Sequence, residues 1–129
     1  MSRNFEQKMA ADALRKVKTL IYKNYADKYA SYAAGLPAAI IANGLGQAAA
    51  TLLAAAKGDK NDPHMILFEH LEHWLCREDK QAPYFTPAGQ PKELMNKIVN
   101  SDRDKYMRAQ AEALAWLQWL KKFAEAYLK

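Results

Sequence analysis

The sequence predicts an all-α protein, a single-domain bundle of about six helices, and three observations carry that reading. Apolar residues recur at three- and four-residue spacing, helix start and stop residues punctuate the pattern, and no run alternates with the two-residue period of a strand. A chain of 129 residues is one domain, 1–129, by length, and at this size it buries roughly two thirds of the surface its unfolded form exposes. With 50% apolar and 26% charged residues, it has the balance of a globular rather than a disordered chain.

The first helix is expected from Asn4 to about Asn24, with Asn4 as N-cap and Gln7 completing a capping box. Met9, Ala13, Val17, Leu20 and Ile21 fall on one side of it. Turning each residue by about 100° places Lys8, Arg15, Lys16 and Lys23 in a sector opposite that stripe. Lys18 flanks them, Asp12 lies among them and Tyr22 shares their face. A basic face carrying an aromatic ring suits a nucleic-acid backbone, with cations for phosphates and a ring on which a base can stack. The plainer reading is a solvated face in which Asp12 pairs with Lys8, Arg15 or Lys16.

Tyr25 to Ala34 continues the first helix or forms a second, with Tyr25, Tyr29 and Tyr32 along one seam. No charged side chain then appears between Lys28 and Lys57. Gly35-Leu36-Pro37 reads as a left-handed helix stop followed by a proline in the first turn of a new helix. Asn43-Gly44 breaks that helix with two residue types tolerant of positive φ, and Leu45, Ala48 and Leu52 resume the period. Ala38, Ala39, Ala42, Ala48, Ala49, Ala50, Ala54 and Ala55 let neighbouring helices approach closely, so this segment is expected to be the buried centre. The uncharged window from Leu36 to Ala56 has the length of a membrane span. Pro37, Asn43, Gly44, Gly46 and Gln47 interrupt it, and alanine contributes little to insertion, so no membrane partner is expected.

Lys57 to Pro63 is a polar break, with Asp62 as N-cap and Pro63 at the first helical position. The helix it opens runs to about Arg77 on Leu67, Phe68, Leu71, Trp74 and Leu75. His70, His73 and Cys76 step by three, drift around the helix and do not converge on a metal. His70 and His73 are expected on the polar side, Cys76 at its edge, and His64 in a structural position on the apolar side. Glu78 to Pro91 reads as a loop anchored by Tyr84 and Phe85. Pro91 opens a helix through Leu94, Met95, Ile98 and Val99 to Asn100, and Ser101 caps the last helix. That helix buries Tyr106, Ala113, Leu117, Leu120, Ala124 and Tyr127, with Trp116 and Phe123 on the flank. Trp119 lies further round, a candidate protein interface unless another helix covers it.

No nucleophile motif, Gly-rich phosphate loop or carboxylate set of metal spacing is present, so a non-enzyme without cofactor or metal is expected. One cysteine and an N-terminus lacking a signal-type apolar core make a reducing cytoplasm the default. A net charge of +5 and a pI near 9.3 fit a polyanionic partner.

Tyr29, Ser31, Leu36-Pro37, Ile40 and Asn43-Gly44-Leu45, with the Ala/Leu helix after them, resemble the small all-helical subunit of the CRISPR type III-B (Cmr) effector complex. Phe68-Glu69-His70-Leu71 and Trp74-Leu75 fit the same family. The resemblance is good over residues 25 to 75 and looser elsewhere. It implies a non-catalytic subunit that stacks in copies along the complex, beside its other subunits, and lines the channel for target RNA paired to the guide. On that reading Lys8, Arg15, Lys16, Lys18 and Lys23 face the RNA. The alternative is a helical protein–protein adaptor that uses its Trp119 flank and touches no nucleic acid.

Overall fold

Six helices close around one apolar core in the computed structural model, which describes residues 3–129. They are α1 (Arg3–Lys18), α2 (Ala26–Asn43), α3 (Leu45–Ala56), α4 (Pro63–Leu75), α5 (Leu94–Val99) and α6 (Arg103–Leu128). No strand occurs among the described residues. The long α6 packs against α1, α2 and α4, while α3 packs against α2, α4 and α5. Trp74, Trp116, Tyr29, Met9, Ile40 and Leu45 are among the largest fully buried side chains.

Local chemistry sets most of the boundaries. Gly44 separates α2 from α3 at φ 88°, a left-handed value that glycine adopts without Cβ strain. Two of the first amides of α3 are then satisfied from another helix: Leu45 N donates to Gln110 Oε1 at 2.9 Å and Gly46 N to the Tyr106 hydroxyl at 2.9 Å. Asp62 caps α4, its Oδ1 accepting from His64 N at 2.8 Å with Pro63 next in sequence. Tyr84 is the buried anchor of the 78–91 loop and Phe85 is half-buried, and Tyr84 N donates to Leu75 O at 3.0 Å.

Other boundaries differ from the sequence reading. α1 already includes Arg3, so Asn4 lies inside it rather than at its cap. It stops at Lys18, short of Asn24, because Thr19 Oγ1 donates to Lys16 O at 2.6 Å and the chain tightens into turns there. α5 starts at Leu94, not Pro91: Glu93 adopts φ 48° and Leu94 N bonds Glu72 Oε2 on α4 at 3.0 Å. Asp102, not Ser101, caps α6, accepting from Lys105 N at 2.8 Å.

The largest correction is α2, which runs unbroken through Gly35 and Pro37. An interior proline costs an α-helix about 3 kcal/mol through its missing N–H and its clash with the preceding turn. Here Ala33, Leu36, Pro37 and Ile40 are all buried, so tertiary packing outweighs the local signal. The alanine-rich segment is likewise buried on one side only. Ala48 and Ala49 are covered, whereas Ala38, Ala42, Ala50, Ala54 and Ala55 are exposed and Ile41 is 74% exposed. Tyr127 is also largely exposed, so the α6 stripe ends on Ala124 and Leu128.

Gly35 is an exposed residue of helical conformation, and a Cβ placed on it meets no atom within 4 Å. Gly35→Ala therefore stabilises the fold by roughly 0.5–1 kcal/mol through reduced backbone entropy of the unfolded chain. Urea denaturation of the variant checks this: an unchanged or lowered midpoint contradicts a continuous α2.

Candidate nucleic-acid interface

The basic residues of α1 divide into an exposed set and one buried member. Lys8, Arg15 and Lys18 are exposed. Lys8 Nζ lies 3.3 Å from Asp79 Oδ2, Arg15 Nη2 lies 3.2 Å from Asp12 Oδ1, and Lys18 Nζ stands 5.9 Å from the centre of the Tyr127 ring. Lys23 is exposed but lies past the end of α1 in the turns that follow, as does Tyr22, which is 99% exposed. The five residues are thus not one helix face: three are exposed on α1, Lys16 is buried, and Lys23 is exposed in the segment after the helix.

Lys16 corrects the sequence reading, since only 8% of it is exposed. It sits roughly 20° around the helix from Met9, on the apolar side rather than opposite it. Its Nζ is 2.7 Å from Asp12 Oδ2, donates to His70 O at 3.2 Å and stands 5.2 Å from the centre of the Trp116 ring. Asp12 is buried with it and accepts a further hydrogen bond from Trp116 Nε1 at 2.9 Å. The helix face therefore turns inward at Asp12 and Lys16. Burial lowers the Lys16 ammonium to about 8, against the pull of the Asp12 carboxylate in the other direction.

His70 and Cys76 differ from expectation, whereas His73 is exposed and His64 holds a structural position as read. His70 is not on an open polar side: its Nδ1 is hydrogen-bonded to the Tyr29 hydroxyl at 2.7 Å, and burial lowers its pKa to about 4. Burial raises the Tyr29 phenol, so both groups are neutral. His73 is exposed, and Cys76 is fully buried at the end of α4 with its thiol pushed up to about 11 by burial. His64 stacks on Tyr32 at 3.8 Å and pairs with Asp62. No group of three or more His, Cys, Asp or Glu with metal-binding geometry occurs among the described residues. Trp119 is half-buried and stacks on Phe123, its own helix neighbour, at 5.9 Å.

A second basic feature escaped the sequence reading. Between the 78–91 loop and the start of α6 lies a cleft of about 550 Å³ lined by Lys80, Lys97, Lys105 and Arg108, with Tyr84 and Phe85 on its wall and Asp102 as its acid. An adjoining hollow shares Lys80 and Arg108 and reaches Phe5 on α1. Arg108 Nη2 donates to Gln81 O, and Lys97 Nζ donates to Thr86 Oγ1 and Lys92 O, so two of the four cations are held in place. The docking of the loop onto α6 creates this cluster from residues up to a quarter of the chain apart, and no spacing in the sequence signals it. The Arg77–Glu112 ion pair fixes the approach from below: Arg77 Nη1 donates to Glu112 Oε1 at 2.5 Å, and its guanidinium covers the Trp74 ring at 4.0 Å.

Two expected outcomes test the buried network. Asp12→Ala leaves a buried ammonium and an indole N–H without their acceptor and should cost about 3–5 kcal/mol in urea unfolding, whereas adding Lys16→Met should restore much of that loss. Failure of the second change to recover stability contradicts an unpaired charge as the cause. His70 has a native pKa of about 4 against 6.5 in the ordinary state, so the unfolded chain takes the proton first. Its contribution is complete above pH 6.5 and is lost as pH falls toward 4, about 2 kcal/mol of it between pH 7 and 5. His70→Asn should flatten that interval of the stability profile relative to the parent chain.

Residues 5–127 match the family described as CRISPR-associated protein (Cas_Cmr5). A similar solved structure is the X-ray crystal structure of a CRISPR-associated Cmr5 family protein from Thermus thermophilus. It is 23% identical, covers 100% of both chains and superposes with a TM-score of 0.74; at that identity the likeness is one of fold. No helix among the described residues is long and apolar enough to cross a membrane. With the family match spanning nearly all of α1 through α6, the chain belongs to the Cmr5 family of CRISPR-associated proteins, the Cmr small subunits.

Proposed function

We propose that this chain is the non-catalytic small subunit of a cytoplasmic type III-B RNA-guided effector complex. It stacks in copies along the complex beside the other Cmr subunits and contributes basic surface to the channel that holds target RNA paired to guide RNA. The family match over residues 5–127 carries this reading. The exposed Lys8, Arg15 and Lys18 on one side of α1, with Lys23 beyond, supply cations at positions where phosphates can reach them. Lys16 has no part in it, because its charge is spent on Asp12 inside the bundle. The absence of catalysis is favoured by where the most perturbed groups lie. Tyr29 is hydrogen-bonded to His70, Lys16 donates to Asp12 and to His70 O, and none of the three lines the basic cleft.

Arg15→Glu together with Lys23→Glu should weaken single-stranded RNA binding by the assembled complex without lowering its thermal stability. Two lost phosphate contacts make the log–log salt dependence shallower by about 1.4. Lys57→Glu with Lys60→Glu, in the polar break before α4, changes net charge equally and should matter less. Equal loss from both pairs means bulk charge alone, and no loss from either removes the RNA contact from the α1 surface.

A further inference from the structure

We infer that the cleft between the 78–91 loop and the start of α6 is the stronger phosphodiester contact of this chain, and that it continues the α1 surface into a single track for one RNA strand. The inference rests on the RNA-binding reading above and adds a site to it.

Charge balance is the first argument. On α1, Lys8 and Arg15 each have a carboxylate within 3.3 Å. Among the described residues, none of Lys80, Lys97, Lys105 and Arg108 has a carboxylate within ion-pair distance, although Asp102 stands on the same wall. Four cations gathered around one hollow repel each other unless an anion joins them, so the cleft is the place where a phosphate gains most.

The second argument is geometric. Lys105 lies in the first turn of a helix of 26 residues, whose positive dipole end is met by the Asp102 cap and Asp104, so the cleft's field comes from its side-chain cations. Phe85 is half-buried on the wall, which leaves part of an aromatic ring beside the cations, the pairing that single-stranded nucleic acid uses for bases and phosphates together. The third is continuity. Lys8 on α1 is ion-paired with Asp79, the neighbour of Lys80, and the hollow beside the cleft is lined by Phe5, Lys80, Gln81, Arg108 and Glu112, the last with its carboxylate taken by Arg77. A strand leaving the α1 surface at Lys8 therefore meets Lys80 next, and then Arg108 and Lys105.

The test compares three double variants of the full chain, free and in the assembled complex, by fluorescence anisotropy with a labelled oligouridylate. Lys80→Glu with Lys105→Glu removes the cleft's two exposed, unpaired lysines. An acid in the first turn of α6 favours the helix dipole, so folding is protected. Arg15→Glu with Lys23→Glu changes the α1 surface, and Lys57→Glu with Lys60→Glu is the charge-matched control. The expected result is a roughly tenfold or greater loss for the cleft pair, more than for the α1 pair, with a salt slope shallower by about 1.4. A cleft pair that behaves like the control while the α1 pair loses affinity overturns the cleft and leaves the proposed function standing. A parent chain whose binding none of the pairs alters, in either form, overturns both.

Discussion

The structure depends most on one buried carboxylate. Asp12 sits on α1 inside the bundle, and a charge in that position is tolerable only when every side of it is compensated. Lys16 from the next turn and the indole N–H of Trp116 on α6 approach it at 2.7 and 2.9 Å, and Arg15 closes it from the solvent edge. Lys16 passes the link on to α4 through His70 O. Three helices are thereby tied at one point, and the rotation of α1 about its axis is set by it. Because Asp12 and Lys16 must point inward, Lys8, Arg15 and Lys18 must point out. The basic surface is thus a consequence of a buried ion pair rather than of a polar face as such.

The long α6 is held to the rest by polar contacts at several heights. Trp116 meets Asp12, Glu112 meets Arg77, and Gln110 with Tyr106 meets the first amides of α3. Apolar seams supply the larger part of the stabilisation, yet they tolerate small slides and repacking. Directional contacts do not. Each fixes the register of α6 against a different part of the chain, and Tyr106 shows why its half-burial is functional for the fold: its ring packs on the core while its hydroxyl accepts from the Gly46 amide. Gly46 in turn is closely packed, since a Cβ there comes within 3.3 Å of Ile98 and needs that side chain to give way by a few tenths of an ångström.

What the sequence made legible is what short-range chemistry decides. The all-α class, the Gly44 break and the Asp62-Pro63 helix start each depend on residues within a few positions of one another, and each is found where it was read. The failures fall where distant parts of the chain decide. Gly35-Leu36-Pro37 carries a strong local stop signal, but Leu36 and Pro37 are buried within the bundle and the helix continues through them. Lys16 reads as surface because lysine usually is, and only its acceptors on α1 and α4 reveal otherwise. His70 reads as a polar-side residue and Cys76 as an edge residue from the helix wheel alone, and both are covered by contacts from elsewhere in the chain. The helix wheel itself held a warning, because Lys16 lies almost beside Met9 on it.

The basic cleft is the extreme case of this distinction. Lys80 lies in a loop, Lys97 on α5, and Lys105 and Arg108 on α6, and in sequence each is an ordinary surface cation. Only the anchoring of the loop makes them neighbours: Tyr84 is buried, and the backbone between Leu75 and Thr86 is hydrogen-bonded back onto the end of α4. A net charge of +5 spread evenly would create little local field, and exposed ion pairs such as Lys8–Asp79 are individually worth less than about 1 kcal/mol. Four cations around one hollow, with Asp102 as the one carboxylate lining it, are different, since their mutual repulsion is a standing cost to the protein. Charge that is balanced in the interior at Asp12 and Lys16 is thus left unbalanced on this surface.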